Sequence, residues 1–337
     1  MSDDLEPIAP EAAVDLYIDH RRDEVSDETL QSHRYRLKQF VLWCEEEGIT
    51  NMNDVSGRDL HAFRVHRRED ADLELVSLQG QLSTLRVFLG FCASIDAVPE
   101  GLRNKVMLPT VSDSEQASKT NLEPDRAEAA LDYLERYHYA SRNHVILLLL
   151  WRTGMRSGAL RSLDLDDFDW DEPAVELVHR PEEDTPLKNA ENSQRWVALS
   201  EHVARVVKDY RDGPREDVTD DYGRRPVLTT SQGRASRSTV RNSVYLMTRP
   251  CWYGDGCPHD RDIGECEATE RAYMSKCPSS RSPHDVRSGA ITAHLLEDVP
   301  VEIVSDRMDV TQDVLDKHYD RRSEREKMNQ RRDHLGI

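Results

Sequence analysis

Residues 282–319 read SPHDVRSGAITAHLLEDVPVEIVSDRMDVTQDVLDKHY, and this stretch decides how the rest of the 337-residue chain is understood. It opens with a helix start. Ser282 suits a cap, Pro283 the first helical position, and Asp285 the positive end of the helix dipole. His284 and Arg287 lie three apart, on one face of the first turn. Backbone N–H groups at a helix start, flanked by an imidazole and a guanidinium, favour a phosphate. Tyr319 follows Arg287 by 32 residues, closing a short amphipathic segment with Val314 and Leu315. Taken alone, His284 and Arg287 read equally well as a surface pair, and Tyr319 as a core tyrosine.

Outward from this stretch, composition narrows the choice. The formal net charge is −19, which by itself argues against a nucleic-acid partner. Only 8 of the 45 basic residues are lysines, against 64 acids. An acidic, lysine-poor surface fits high intracellular salt, where a Debye length of about 3 Å at 1 M screens self-repulsion. The charge is also uneven. Residues 224–249 carry six arginines and no acid, the footprint of a protected basic face, with Arg234, Arg237 and Arg241 as candidate DNA contacts. Arg321, Arg322, Arg331 and Arg332 extend it in the tail. The acidic N-terminus is no signal peptide, and the longest apolar run, Val145 to Trp151, is too short for a bilayer. The expectation is a soluble, cytoplasmic, nucleoid-associated protein with no membrane partner.

The pattern predicts a mainly α chain. Residues 1–10 read as a disordered acidic tail, and 11–108 as four short helices. Apolar spacing marks them at Leu16 and Tyr17, from Leu30 to Trp43, at Leu60 and Phe63, and from Leu78 to Leu89. Cys44 and Cys92 read as buried thiols. A polar linker spans 109–121, and 122–337 forms a second, mixed domain. There, a buried helix stops at Gly154. Ala174–His179 and Arg195–Leu199 alternate like two strands of a small antiparallel sheet, with Lys188 between them. With so short a segment before Glu11, no additional N-terminal DNA-binding domain is expected.

Residues 251–277 hold Cys251, Cys257, Cys266, Cys277 and His259. Four clustered cysteines in an intracellular chain point to a structural zinc, with His259 able to replace one thiolate; two disulfides or four free thiols are the alternatives.

In this order the pieces resemble the tyrosine recombinase (phage integrase) family, in a haloarchaeal-like version. Thr153-Gly154-Met155-Arg156 followed by Leu160 is similar to its first box, Lys188 to its hairpin lysine, His284-x-x-Arg287 to its second box, and Tyr319 to its nucleophile. The first half resembles its core-binding, SAM-like domain. The resemblance implies site-specific DNA recombination without metal or ATP. Tyr319 would form a 3′-phosphotyrosyl ester, with Arg156 and Arg287 gripping the phosphate. Lys188 would be the acid and His284 the base. It also implies a homotetramer on paired double-stranded DNA sites, and no cofactor for catalysis.

Two positions depart from the family pattern. Ala159 stands where an acid is usual, and Asp309 where a histidine or tryptophan is. Ionised aspartate donates no hydrogen bond to phosphate, so Asp309 is expected in a supporting role, orienting Arg287. These departures keep open a catalytically silent, architectural DNA-binding protein on the same fold.

Overall fold

The computed structural model describes residues 5–69, 73–111, 120–254, 256–297 and 299–319, with positions 325, 328 and 332. The chain divides into two compact units, Met1–Gln116 and Ala117–Ile337. The division falls inside the expected linker, of which residues 112–119 lie outside those described.

The first unit contains α1 (Pro10–Arg21), α2 (Asp27–Glu46), α3 (Gly57–Glu69) and α4 (Leu75–Ser94). Pro10 starts α1, and the Ser26 hydroxyl caps α2 by accepting from the Thr29 N–H. Their apolar faces meet around Tyr17, Phe40, Phe63 and Phe88, with Phe40 and Phe63 edge to face at 5.3 Å. Burial pushes the thiols of Cys44 and Cys92 up to about 12, so both are inert packing groups. The expected loose tail needs correcting. Residues 1–4 lie outside those described, but the Glu6 N–H donates to the Asp96 carbonyl at 2.8 Å and the Ile8 N–H to Asn51 Oδ1 at 3.2 Å. These bonds pin the segment before α1 to the bundle.

The second unit is built around α6 (Arg142–Thr153), whose residues Val145 to Trp151 are all buried. Four helices pack against it: α5 (Pro124–Tyr137), α8 (Glu201–Asp212), α9 (Arg237–Met247) and α10 (Pro283–Leu296). The short α7 (Ser157–Ser162) follows α6 directly. The sheet has three antiparallel strands, β1 (Phe168–Asp169), β2 (Ala174–Leu177) and β3 (Arg195–Ala198), with Val175 opposite Val197 and Leu177 opposite Arg195. A separate pair, β4 (Thr229–Thr230) and β5 (Gly233–Arg234), precedes α9. After α10 come α11 (Val301–Met308) and α12 (Gln312–His318). These last helices enclose a small core of Ile291, Leu295, Val304, Met308, Leu315 and Tyr319. Among the described residues, no helix is long and apolar enough to cross a membrane.

The acid-free stretch 224–249 is not a uniformly open basic face: Arg224, Arg234 and Arg249 are drawn inward, whereas Arg225, Arg237 and Arg241 are exposed. Arg234, with a side chain 5% exposed, pairs with Asp164 at 2.5 Å and Asp220 at 2.7 Å. Arg224 reaches Asp164 and Glu183, Arg225 reaches Asp166, and Arg249 is buried. Asp164, Asp166, Glu183 and Asp220 all lie outside the stretch, so the folded protein neutralises what the local sequence leaves unpaired.

Candidate active site

Gly154 ends α6 in the left-handed conformation, at φ 61°, and a Cβ there would meet Met308 Sδ at 2.6 Å. The turn places Arg156 as the N-terminal flanking residue of α7. On α10, Ser282 caps the helix as expected and forms a reciprocal capping box with Asp285, and Gly289 lets this helix pass the Leu122 carbonyl, which a Cβ would strike at 2.1 Å. One turn in from that cap, Arg287 is 3% exposed and donates to the Gly154 carbonyl at 2.5 Å. The two arginines of the two motifs are thereby set side by side.

Asp309 joins them. It follows α11 in the left-handed conformation, at φ 51°, which an aspartate tolerates. Its carboxylate pairs with Arg156, and its carbonyl accepts from Arg156 at 2.9 Å and from Arg287 at 3.3 Å. Ser193 Oγ donates to the same carboxylate at 2.6 Å, and Asn189 Nδ2 does so at 3.1 Å. Both residues belong to the β2–β3 connection. Lys188, exposed, is the immediate neighbour of Asn189. Burial raises the Asp309 pKa, but the Ser193 bond, Arg156, Asn189 and Arg195 outweigh it, and the carboxyl sits below its ordinary value.

Positive charge dominates the surroundings. Burial and then Arg156 lower the Arg287 guanidinium to about 10, with Tyr319 and Asp309 opposing, so it stays protonated at neutral pH. Arg195 is lowered chiefly by burial, then by Arg156 and Arg307 against the pull of Asp309. It reaches carbonyls, those of Arg307 at 2.9 Å and Ser193 at 2.8 Å. Arg195 and Arg307 escape a sequence reading because no short motif marks an arginine satisfied by distant carbonyls. His284 keeps an exposed edge, yet crowding by protein lowers its pKa, with Arg287 and Arg156 adding to that and Asp285 opposing. Tyr319 flanks α12, is 9% exposed, and lies in the small core beside α10. Arg156, His284, Arg287, Asp309 and Tyr319 therefore converge from four separate segments, with the Lys188 connection bonded to the edge.

Other sequence expectations fare differently. Of the candidate DNA contacts, Arg237 and Arg241 are exposed, whereas Arg234 is committed to Asp164 and Asp220. Helix α3 was not singled out by sequence, yet Arg58, His61 and Arg68 are exposed on it and Arg64 is half-buried, a basic face in a chain of net charge −19. Arg321, Arg322 and Arg331 lie outside the described residues. The zinc expectation is not supported. Among the described residues, no group of three or more His, Cys, Asp or Glu side chains is placed to hold a metal, and all six cysteines are unpaired thiols. His259 Nε2 contacts Ser279 Oγ at 3.0 Å. Arginines hold one point of the insert and the segment just after it. Arg249 donates to the Ala268 carbonyl, Arg126 to Ser279, and Arg281 to Pro278 and Ser280.

Comparison with known proteins agrees with this architecture. The family model described as phage integrase, N-terminal SAM-like domain, matches residues 15–94, and that of the phage integrase family matches 120–245. The second match ends before α10. A tyrosine recombinase XerC of Pseudomonas syringae pv. tomato is 26% identical over 171 residues, covering 50% of this chain and 56% of that protein. A XerC of Pseudomonas putida KT2440 is 28% identical over 202 residues, covering 55% and 63%. The chain thus matches somewhat more than half the length of these relatives. The Tn1549 transposon integrase, solved with circular intermediate DNA, shares the fold at a TM-score of 0.69 with 14% identity, over 97% of this chain and 99% of that one. A lambda integrase dimer bound to a COC′ core site gives 0.63 with 11% identity, over 96% and 81%.

Proposed function

The chain belongs to the phage integrase family of tyrosine recombinases, and on that premise we propose that it cuts and rejoins double-stranded DNA at specific sites through Tyr319. The carrying observation is the convergence of Arg156, His284, Arg287 and Tyr319 with an excess of positive charge. In this reading the Tyr319 oxygen attacks phosphorus as His284 takes its proton. The P–O5′ bond breaks, and Lys188 protonates the departing 5′-oxygen. Arg156 and Arg287 bind the non-bridging oxygens, and such preorganised charge is usually the largest catalytic contribution. The 3′-phosphotyrosyl ester keeps the energy of the broken bond, so reversal by a 5′-hydroxyl rejoins DNA without ATP. No step is assigned to a metal. The matched relatives are recombinases and the structural neighbours were solved on DNA, which supports a DNA partner.

Four protomers on two paired sites, action in the cytoplasm on nucleoid DNA, and adaptation to molar salt belong to the same proposal. The last rests on the 64 acids and the 8 lysines. A protein best folded and most active in dilute buffer would refute the salt adaptation.

One observation favours a second reading. Asp309 already engages Arg156 where a phosphate would bind, as expected of a silent, architectural DNA-binding protein. Incubation with supercoiled plasmid in molar KCl, followed by detergent trapping, separates the two. Recombinase chemistry predicts relaxation and a covalent protein–DNA adduct, both lost in Tyr319→Phe. Binding without an adduct supports the silent reading.

A further inference from the structure

We infer that Asp309 is a positioning residue that latches the β2–β3 connection, and with it Lys188, onto Arg156. The inference rests on the recombinase reading for its catalytic consequence, but the latch itself is a matter of geometry. Ser193 Oγ and Asn189 Nδ2 both donate to the Asp309 carboxylate, at 2.6 and 3.1 Å, while Arg156 pairs with it from the opposite motif. Asn189 directly follows Lys188, and the Ser193 Oγ also accepts from the Asn189 N–H at 3.3 Å. The turn that carries the lysine is therefore closed on itself and tied to the arginine through one carboxylate.

The charge balance explains why that group is acidic. Among the described residues, Arg195 and Arg287 reach only carbonyl oxygens, and Arg156 finds its carboxylate in Asp309. A neutral donor at 309 would leave these guanidiniums without a counter-charge and leave Ser193 and Asn189 without their acceptor. Asp309 does not contact DNA in this account. It acts through Lys188, which sits exposed on that turn between Asn189 and the buried Leu187. Sequence places the acid where the family carries a hydrogen-bond donor, and the structure gives that acid a different task.

Hydrogen–deuterium exchange on the full-length protein tests the latch without any knowledge of the DNA site. Asp309→Asn and Ser193→Ala are expected to speed amide exchange across residues 186–194 by about 5- to 10-fold, the worth of one lost hydrogen bond, and to leave α6 unchanged. Ser193→Thr, which keeps the hydroxyl, is expected to restore protection. Unchanged exchange across 186–194 in both variants overturns the latch. The consequence is read by plasmid relaxation in a double-mutant cycle. Asp309→Asn slows relaxation when Lys188 is present and adds less than about twofold on a Lys188→Ala background, because both changes act through one group. An undiminished Asp309→Asn effect on that background overturns the positioning role. If the unmodified protein shows neither relaxation nor adduct, the recombinase reading fails, and the exchange result still decides the latch.

Discussion

Two arginine clusters in the second unit answer the same chemical problem in opposite ways. Around Asp164, the side chains of Arg180, Arg224 and Arg234 face Asp164, Asp167, Asp220 and Glu183, three cations against four anions. Around Asp309, among the described residues, Arg156, Arg195 and Arg287 share one carboxylate, and Arg307 adjoins Arg195. There the remaining N–H groups go to main-chain carbonyls, including those of Gly154, Ala198 and Arg152. A carbonyl satisfies a donor without cancelling its charge. The first cluster is thus neutralised and holds β5 against the segment after α7. The second keeps a positive excess. Burial alone does not separate them, since Arg234 and Arg287 are both nearly inaccessible.

The comparison predicts different losses. The largest is expected at the neutral cluster. Asp164→Asn removes the carboxylate that Arg180, Arg224 and Arg234 share, leaving Arg234 to Asp220 and Arg224 to Glu183, and should cost about 3 kcal/mol of stability, read as a lower denaturant midpoint. An unchanged midpoint would mean the two clusters are not distinct in kind. Next, Arg156→Ala should slow adduct formation about 100- to 1,000-fold with little change in the unfolding midpoint, because a third of its side chain is already exposed. A large stability loss with an intact rate would reverse the assignment.

A subtler effect concerns pH. Crowding by protein first, and Arg287 and Arg156 after it, hold the His284 pKa below its ordinary value. A base must be neutral to accept a proton, so the rate should fall only as pH drops through that lowered pKa. Removing the Arg156 charge should move the fall to higher pH, whereas Asp164→Asn should leave its position alone. The smallest expected effect is at the surface. Arg237→Ala or Arg241→Ala should each reduce the salt slope of DNA binding by about 1, with no change in folding. Equal slopes for these variants and the unmodified protein would remove both residues from the DNA interface.

How far the sequence could be read follows the range of the interactions. The start of α10 was legible because Ser282, Pro283 and Asp285 act within one turn, and so was the pairing of His284 with Arg287 on one face. The long helices were legible from their spacing. The two-residue strands β1, β4 and β5 were not, being too short to show alternation. The sharpest misreading, Arg234, came from charge counted locally. Its partner Asp164 lies 70 residues away, so an acid-free stretch said nothing about pairing in the folded chain. Asp309 was visible as an oddity, but its bonds to Ser193 and Asn189 span more than a hundred residues. The cysteine spacing suggested a metal because it carries no information about where the three-ten turns of the insert direct each thiol.

The most direct test of the account is to identify the linked atoms. The protein is trapped on plasmid DNA in denaturant, digested with nuclease and protease, and the nucleotide-bearing peptide sequenced by mass spectrometry. The account predicts a nucleotide joined through its 3′-phosphate to the peptide that contains Tyr319, with a free 5′-hydroxyl on the opposite DNA end. A link at another residue, or through a 5′-phosphate, would contradict it.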